Sequence, residues 1–317
     1  MSNRITALTL ALAACSGLAL AQAPAPPEPP RPPKPPKGYS YEHRTQPGGT
    51  TFDQKASFVP KGVVEIENFT GSVTVSGWER NEIAVTGRSD GGELELEVSG
   101  ERASIQVDAP NPHGTRSDLE VKVPAGSSLE VNAFQADVAV SGVSGRISIE
   151  TVNGALLVTG AQGELELNSV NGVVEVSGSS RRVHVEAVNG NVTLKGTGGN
   201  IEASTVNGRL RYEGGTLERA SFETVSGELV VQSELSPQAR VELQSVSGPI
   251  ELVLPAATQA RFEVSTFSGA IQNELSADKP TRRSRFTNES ELVFTLGNGG
   301  ATVDVQSLSG RILLRTR

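Results

Sequence analysis

The sequence predicts an all-β chain: a parallel β-solenoid of about a dozen rungs of 18–21 residues, with two strands per rung. A four-residue phrase recurs at nearly constant spacing, apolar and polar residues alternate between its copies, and no stretch of the body carries a helical period.

The phrase is a small residue, an apolar residue, Asn or Ser, then Gly. It stands at Thr151-Val152-Asn153-Gly154, Ser169-Val170-Asn171-Gly172, Ala187-Val188-Asn189-Gly190 and Thr205-Val206-Asn207-Gly208. Looser copies end at Gly227, Gly248, Gly269 and Gly310, and an earlier one at Phe69-Thr70-Gly71. Successive glycines from Gly154 lie 18, 18, 18, 19, 21, 21 and 41 residues apart. The last gap predicts two rungs, with the middle motif lost near Arg282.

After each glycine, apolar residues fall at the second and fourth positions, as in Val174 and Val176 or Val192 and Leu194. The other half-repeat supplies Leu165 and Leu167, or Val183 and Val185, with glutamates between. Period-two alternation puts one set inside and one outside. Strands this short make weak hairpins, but stacked in register each bonds to the next rung about 4.8 Å away. Asn-Gly also signals a tight hairpin, yet a two-residue turn does not explain a period of 18. At a corner Gly tolerates positive φ, and Asn can visit the left-handed region. Asn153, Gly154, Asn171, Gly172, Asn189, Gly190, Asn207 and Gly208 then align as a structural corner ladder of side-chain amides, with glycan or ion binding as the functional alternative.

The ends are less regular. Residues 39–60, with Tyr39, Tyr41, Phe52 and Phe58, read as an N-terminal cap or lead-in strand before a repeat domain over 61–317. Residues 87–118 read as a loop thrown out from the stack. The chain closes on a strand, Arg311 to Arg317, whose arginines would discourage edge pairing.

Residues 1–21 are a signal peptide: a basic start at Arg4, then an apolar run from Ile5 to Ala21. Ala19-Leu20-Ala21 offers cleavage before Gln22. Leu12-Ala13-Ala14-Cys15 resembles a lipobox, which makes Cys15 a candidate lipidation site. Both routes predict export to the periplasm or cell envelope, the second as an outer-membrane lipoprotein, with no transmembrane span in the mature chain. Residues 22–38 form a proline-rich linker. Proline fixes φ and removes donors, so Pro24 to Gly38 favours an extended left-handed helix at about 3.1 Å per residue, a stalk or a solubilising spacer.

Composition narrows the chemistry. Of 317 residues only one is Cys, which excludes an internal disulfide, and only three are His. Seven Asp against 29 Glu argue against Asp-lined calcium repeats. From Tyr39 onward 24 basic residues face 35 acidic ones, a net charge of −11 that disfavours nucleic acid.

A solenoid enzyme acting on polysaccharide would need a carboxylate pair at a defined gap. Asp108, Asp118 and Asp137 lie near irregular segments, and Glu164 with Glu166, or Glu93, Glu95 and Glu97, share strand faces. Outward glutamates recur on nearly every rung, however, which is the pattern of a solvated face. His184 reads as a surface histidine, His43 and His113 form no pair, and no nucleophile elbow is present. Gly198-Gly199-Asn200 is a corner, since a phosphate cradle needs a following helix. Trp78 reads as rim packing. Lys279, Arg282, Arg283 and Arg285 form a basic patch in an acidic body: a solvated loop, or a docking patch for an anionic partner. No catalytic residue, metal or cofactor is expected.

The phrase Val64-Glu65-Ile66-Glu67-Asn68-Phe69-Thr70-Gly71-Ser72-Val73-Thr74-Val75 and the repeated Val-Asn-Gly resemble the bacterial DUF4097 family, β-strand-repeat envelope proteins related to an autotransporter-adhesin head domain. The resemblance covers about 60–317. It implies a β-solenoid of no assigned chemistry, with members described as adhesins or found beside envelope-stress and anti-sigma systems. It defines no catalytic residues to carry over. The expected role is an exported, non-enzymatic binding or adhesin-like module for an envelope protein or glycan, with an accessory of envelope-stress signalling and a polysaccharide-acting enzyme as alternatives.

Overall fold

The computed structural model describes residues 49–111, 114–282 and 288–317, and every regular element in them is a strand. The leader with Cys15, the proline-rich linker, Tyr39, Tyr41, His43, His113, Arg283 and Arg285 lie outside the described residues.

Two ladders run along the stack, one built from strands before the motif glycines and one from strands after them. At the N-terminal end stand β1 (Thr50–Ser57), β2 (Val63–Trp78), β3 (Glu82–Ser89), β4 (Glu93–Ser99), β5 (Arg102–Asp108), β6 (Ser117–Pro124) and β7 (Ser128–Ser141). β2 and β7 are long because each passes through a corner and serves both ladders. Spatial order departs from chain order here. β2 lies between β7 and the β5–β6 rung, parallel to all three. β4 closes the first ladder antiparallel to β5; β3 closes the second antiparallel to β6, and β1 pairs antiparallel with β3 outside it. The loop expected over 87–118 is therefore largely strand. Its β5 keeps the inward pattern, with Ala103 and Ile105 fully buried.

The regular middle follows. β8 (Ile147–Asn153), β10 (Leu165–Asn171), β12 (Arg182–Asn189) and β14 (Gly199–Asn207) continue the first ladder in parallel. β9 (Leu156–Ala161), β11 (Val174–Gly178) and β13 (Val192–Lys195) continue the second. β15 (Leu210–Ser226) and β16 (Leu229–Ser245) turn the opposite corner and join both, and β17 (Ile250–Leu254) extends the second.

The C-terminal end mirrors the N-terminal one. β18 (Ala260–Thr266) and β19 (Ile271–Asn273) form the outer rung. The chain then adds β20 (Thr281–Arg282) and β21 (Ser290–Leu296) antiparallel on the first ladder. It finally turns back: β22 (Ala301–Ser307) inserts between β16 and β18, and β23 (Ile312–Thr316) between β17 and β19. This overturns two expectations. No motif is lost near Arg282, because the rung ending at Gly310 sits between those ending at Gly248 and Gly269. Nor is the terminal strand an edge, and Arg315 pairs with Glu251 of the neighbouring rung. The sheet is thus mixed, parallel in the stack and antiparallel where it is closed.

Inward residues of both ladders form one continuous core. Each fully buried Val or Leu contributes about 1.5–3 kcal/mol of transfer free energy. Tyr212 occupies a Leu-like position, and its hydroxyl donates to the Thr197 carbonyl at 2.7 Å. Burial raises that phenol well above its ordinary pKa.

The corner glycines are required mainly by close approach. A Cβ on Gly172, Gly190 or Gly208 would overlap the carbonyl oxygen of the motif glycine one rung earlier. Among the described residues only glycines have positive φ, so the asparagines are not left-handed, contrary to the sequence expectation.

Candidate functional site: an apolar groove along one corner

The corner motif places three rows of side chains on the surface. The middle residue, apolar in every copy, faces solvent. Val170, Val188 and Val206 are about 40% exposed, at 40%, 41% and 40%. Phe69 and Phe134 are exposed in the same row. The pairings on either side put Phe69 beside Phe134, then Val152, Val170, Val188 and Val206. Beyond them the row runs through Val225 and Val246 to Leu308 and Phe267. Strand alternation would turn these residues in or out by phase; the corner breaks that phase and leaves them out.

The residue before each is small and buried: Ala133, Thr151, Ser169 and Ala187. The residue before that points outward from the first ladder: Glu67, Asn132, Glu150, Asn168, Glu186 and Ser204. Small side chains between two taller rows make a trough. It encloses about 670 Å³ and runs from the β2 rung to the β14 rung, about 24 Å. Buried polar atoms among its lining residues, Thr151 Oγ1, Ser169 Oγ and Asn168 Oδ1, have no hydrogen-bond partner among the described residues.

The corner asparagines flank the apolar row on its other side. Asn171 Nδ2 donates to Asn153 Oδ1, Asn189 to Asn171, and Asn207 to Asn189, each at 3.0 Å. The glycine amides add a second line of bonds, Gly154, Gly172 and Gly190 each donating to the carbonyl of Asn171, Asn189 and Asn207 respectively. Where Ser replaces Asn the corner is tied differently. The Ser245, Thr266 and Ser307 hydroxyls accept from the amides of Gly248, Gly269 and Gly310 at 2.7–2.9 Å.

The carboxylates considered for catalysis are dispersed. Asp118 binds Arg116 and the Ser72 hydroxyl, and the Arg116 hydrogen bond holds its pKa below the usual range. Asp137 accepts the Ala155 amide at 2.7 Å. Asp108 lies opposite Glu93 in the β4–β5 hairpin, where Glu95 and Glu97 follow on the outermost strand. Glu166 pairs with Arg146 and Glu164 with Arg182. His184 is a surface side chain between Glu186 and Glu202. Trp78 donates to the Glu82 carbonyl and carries Arg80 and Lys122 over its ring. Gly198 and Gly199 turn the second corner, with Gly199 at positive φ. Lys279 and Arg282 are exposed, the latter on the outermost strand of the first ladder. No cluster of three or more potential metal ligands occurs among the described residues.

Sequence reasoning named the motif but missed the groove. The signal was present: an apolar residue at a fixed place in every copy, beside a small one, in a phase that does not belong to the buried set.

By sequence, no curated protein matches the chain. Two solved structures align with the chain at low identity. A candidate cell adhesion protein from Clostridium sporogenes is 10% identical, with 84% of this chain and all of that one covered at a TM-score of 0.22. A candidate adhesin from Parabacteroides distasonis is 8% identical, with 84% and 97% covered at a TM-score of 0.37. The family model described as Toastrack DUF4097 matches residues 62–315. The chain belongs to the DUF4097 (Toastrack) family.

Proposed function

We propose that this chain is an exported, non-enzymatic binding module of the cell envelope, built as a solenoid of about a dozen rungs, that makes an extended contact along its corner groove. The groove carries this reading. Monomeric proteins rarely leave a contiguous apolar strip uncovered, and such strips mark interaction surfaces. The leader-like residues 1–21 support export, and the lipobox-like run ending at Cys15 is a route to membrane anchoring. The carboxylates first considered for catalysis are held by neighbouring groups at separate places in the stack, which supports a binding role.

Crosslinking the tagged full chain in its own cells tests this. Capture of one dominant envelope component, lost in a Val170→Lys, Val188→Lys variant, is expected. Recovery of a sensor or anti-sigma protein would make the module a signalling accessory. Unchanged capture by the variant would move the contact off the groove.

A further inference from the structure

The outward row of the groove has a period of its own. In spatial order it reads Glu67, Asn132, Glu150, Asn168, Glu186, Ser204, Glu223. A carboxylate therefore stands on every second rung, about 9.6 Å apart. Across the trough from it, the apolar row repeats on every rung.

A polyproline II strand has three residues per turn and rises about 3.1 Å per residue, so every third side chain points the same way about 9.3 Å apart. Its backbone makes no internal hydrogen bonds, so docking breaks none. The sequence contains a segment whose composition favours this conformation, with a matching charge period: in Pro29-Pro30-Arg31-Pro32-Pro33-Lys34-Pro35-Pro36-Lys37, cations occupy every third position and prolines the rest. Glu28, one turn earlier in the same phase, ends the cationic face. The two periods differ by about 3%, so three cations meet three carboxylates without loss of register.

We propose that the groove binds a polyproline II strand bearing a cation at every third residue, and that the occupant is the proline-rich segment of a second copy of this chain. Prolines lie along the Phe69-to-Val206 row, while Arg31, Lys34 and Lys37 of that copy face alternate rungs of the carboxylate row. This rests on the groove being the binding surface, and it names what the groove takes. A pre-extended strand loses little conformational entropy on docking, which suits a shallow site. Opposite net charge on strand and body favours encounter.

The test is a fluorescent peptide of residues 24–38, titrated into the chain lacking those residues; the described residues hold a core of their own. Saturable binding is expected, about tenfold weaker in Glu150→Lys, Glu186→Lys and weakened by added salt. A control reversal at Glu202, on the same ladder outside the groove lining, should leave binding within about twofold. A peptide of the same composition with the three cations moved to every fourth position should bind at least about tenfold more weakly. Absence of binding, equal binding of the respaced peptide, or indifference to the Glu150 and Glu186 reversals would each overturn the proposal. A photo-crosslinking residue at position 170 separates the two levels: capture of a different component in cells, with no peptide binding, keeps the groove as a site and removes this occupant.

Discussion

The Ser309 hydroxyl donates to the Val246 carbonyl oxygen at 3.1 Å, across 63 residues of chain. The last rung is thereby seated beside one made two motifs earlier, and the rung made just before it lies outside. At the other end β2 is inside and the later β5–β6 rung is outside. The first ladder is thus closed at both ends by antiparallel strands, β4 and β20–β21, and the second at its N-terminal end by β3 and β1, so these edges do not present the repeat pattern to another molecule.

Deleting residues 301–317 should therefore release more than one rung. β18 and β19 lose their parallel partners, so amide exchange across 260–273 should rise to that of unfolded chain. In a stack laid down in chain order, those residues would stay protected, and protection there after the deletion would count against the inserted rung.

Gly190→Ala places a methyl group against the Gly172 carbonyl oxygen. The rigid backbone has no room to yield, so the expected loss is near the upper end of about 1–3 kcal/mol. Gly215→Ala is the comparison, since a Cβ there stands 3.7 Å from its nearest neighbour, the Thr197 carbonyl oxygen. Its effect should stay within about 0.5 kcal/mol. Urea midpoints of the two variants measure the difference.

In the amide ladder Asn189 both donates to Asn171 and accepts from Asn207, whereas Asn153 only accepts. Asn189→Ala should cost about 1 kcal/mol and Asn153→Ala about half that, because each bond is exposed and lies at the low end of the usual range. Equal losses in thermal unfolding would mean that the amides do not act as a ladder.

Asp304 stands between Glu242 and Glu263 on adjacent rungs. Burial first, then those two carboxylates, raise its pKa above the ordinary aspartate value, although Gln306 donates to it. A carboxyl whose folded pKa is raised loses stability as pH climbs from its unfolded pKa through the folded one. Asp304→Asn should therefore stabilise the fold at neutral pH by less than about 1 kcal/mol, discounted for partial exposure. The gain should vanish below the unfolded aspartate range. A gain that persisted at acid pH would trace to packing rather than charge.

Much of the stack was legible because its physics is local. Val174 with Val176 and Val192 with Leu194 announce inward pairs by spacing alone, and the motif glycines mark where rungs meet. Rung order was not legible. Val241 with Leu243, Phe262 with Val264 and Val303 with Val305 carry the same inward pattern, and a parallel ladder accepts any of them as neighbours. The 41-residue gap was read as a missing motif, when it holds an antiparallel excursion and a return. The groove was hidden for another reason. Val170 and Val188 are apolar, and apolarity in a repeat suggests core. Only the corner geometry turns them outward, and only the ladder register reveals that Glu67, Glu150, Glu186 and Glu223 stand on alternate rungs.

The most direct test of the groove as the binding surface is site-specific photo-crosslinking of the full chain in its own cells. The crosslinking residue is placed at position 170 in one protein and at position 157 in another, both exposed apolar sites on different ladders. The account predicts a discrete adduct from position 170 and none from position 157. An adduct from 157 with none from 170 would contradict it.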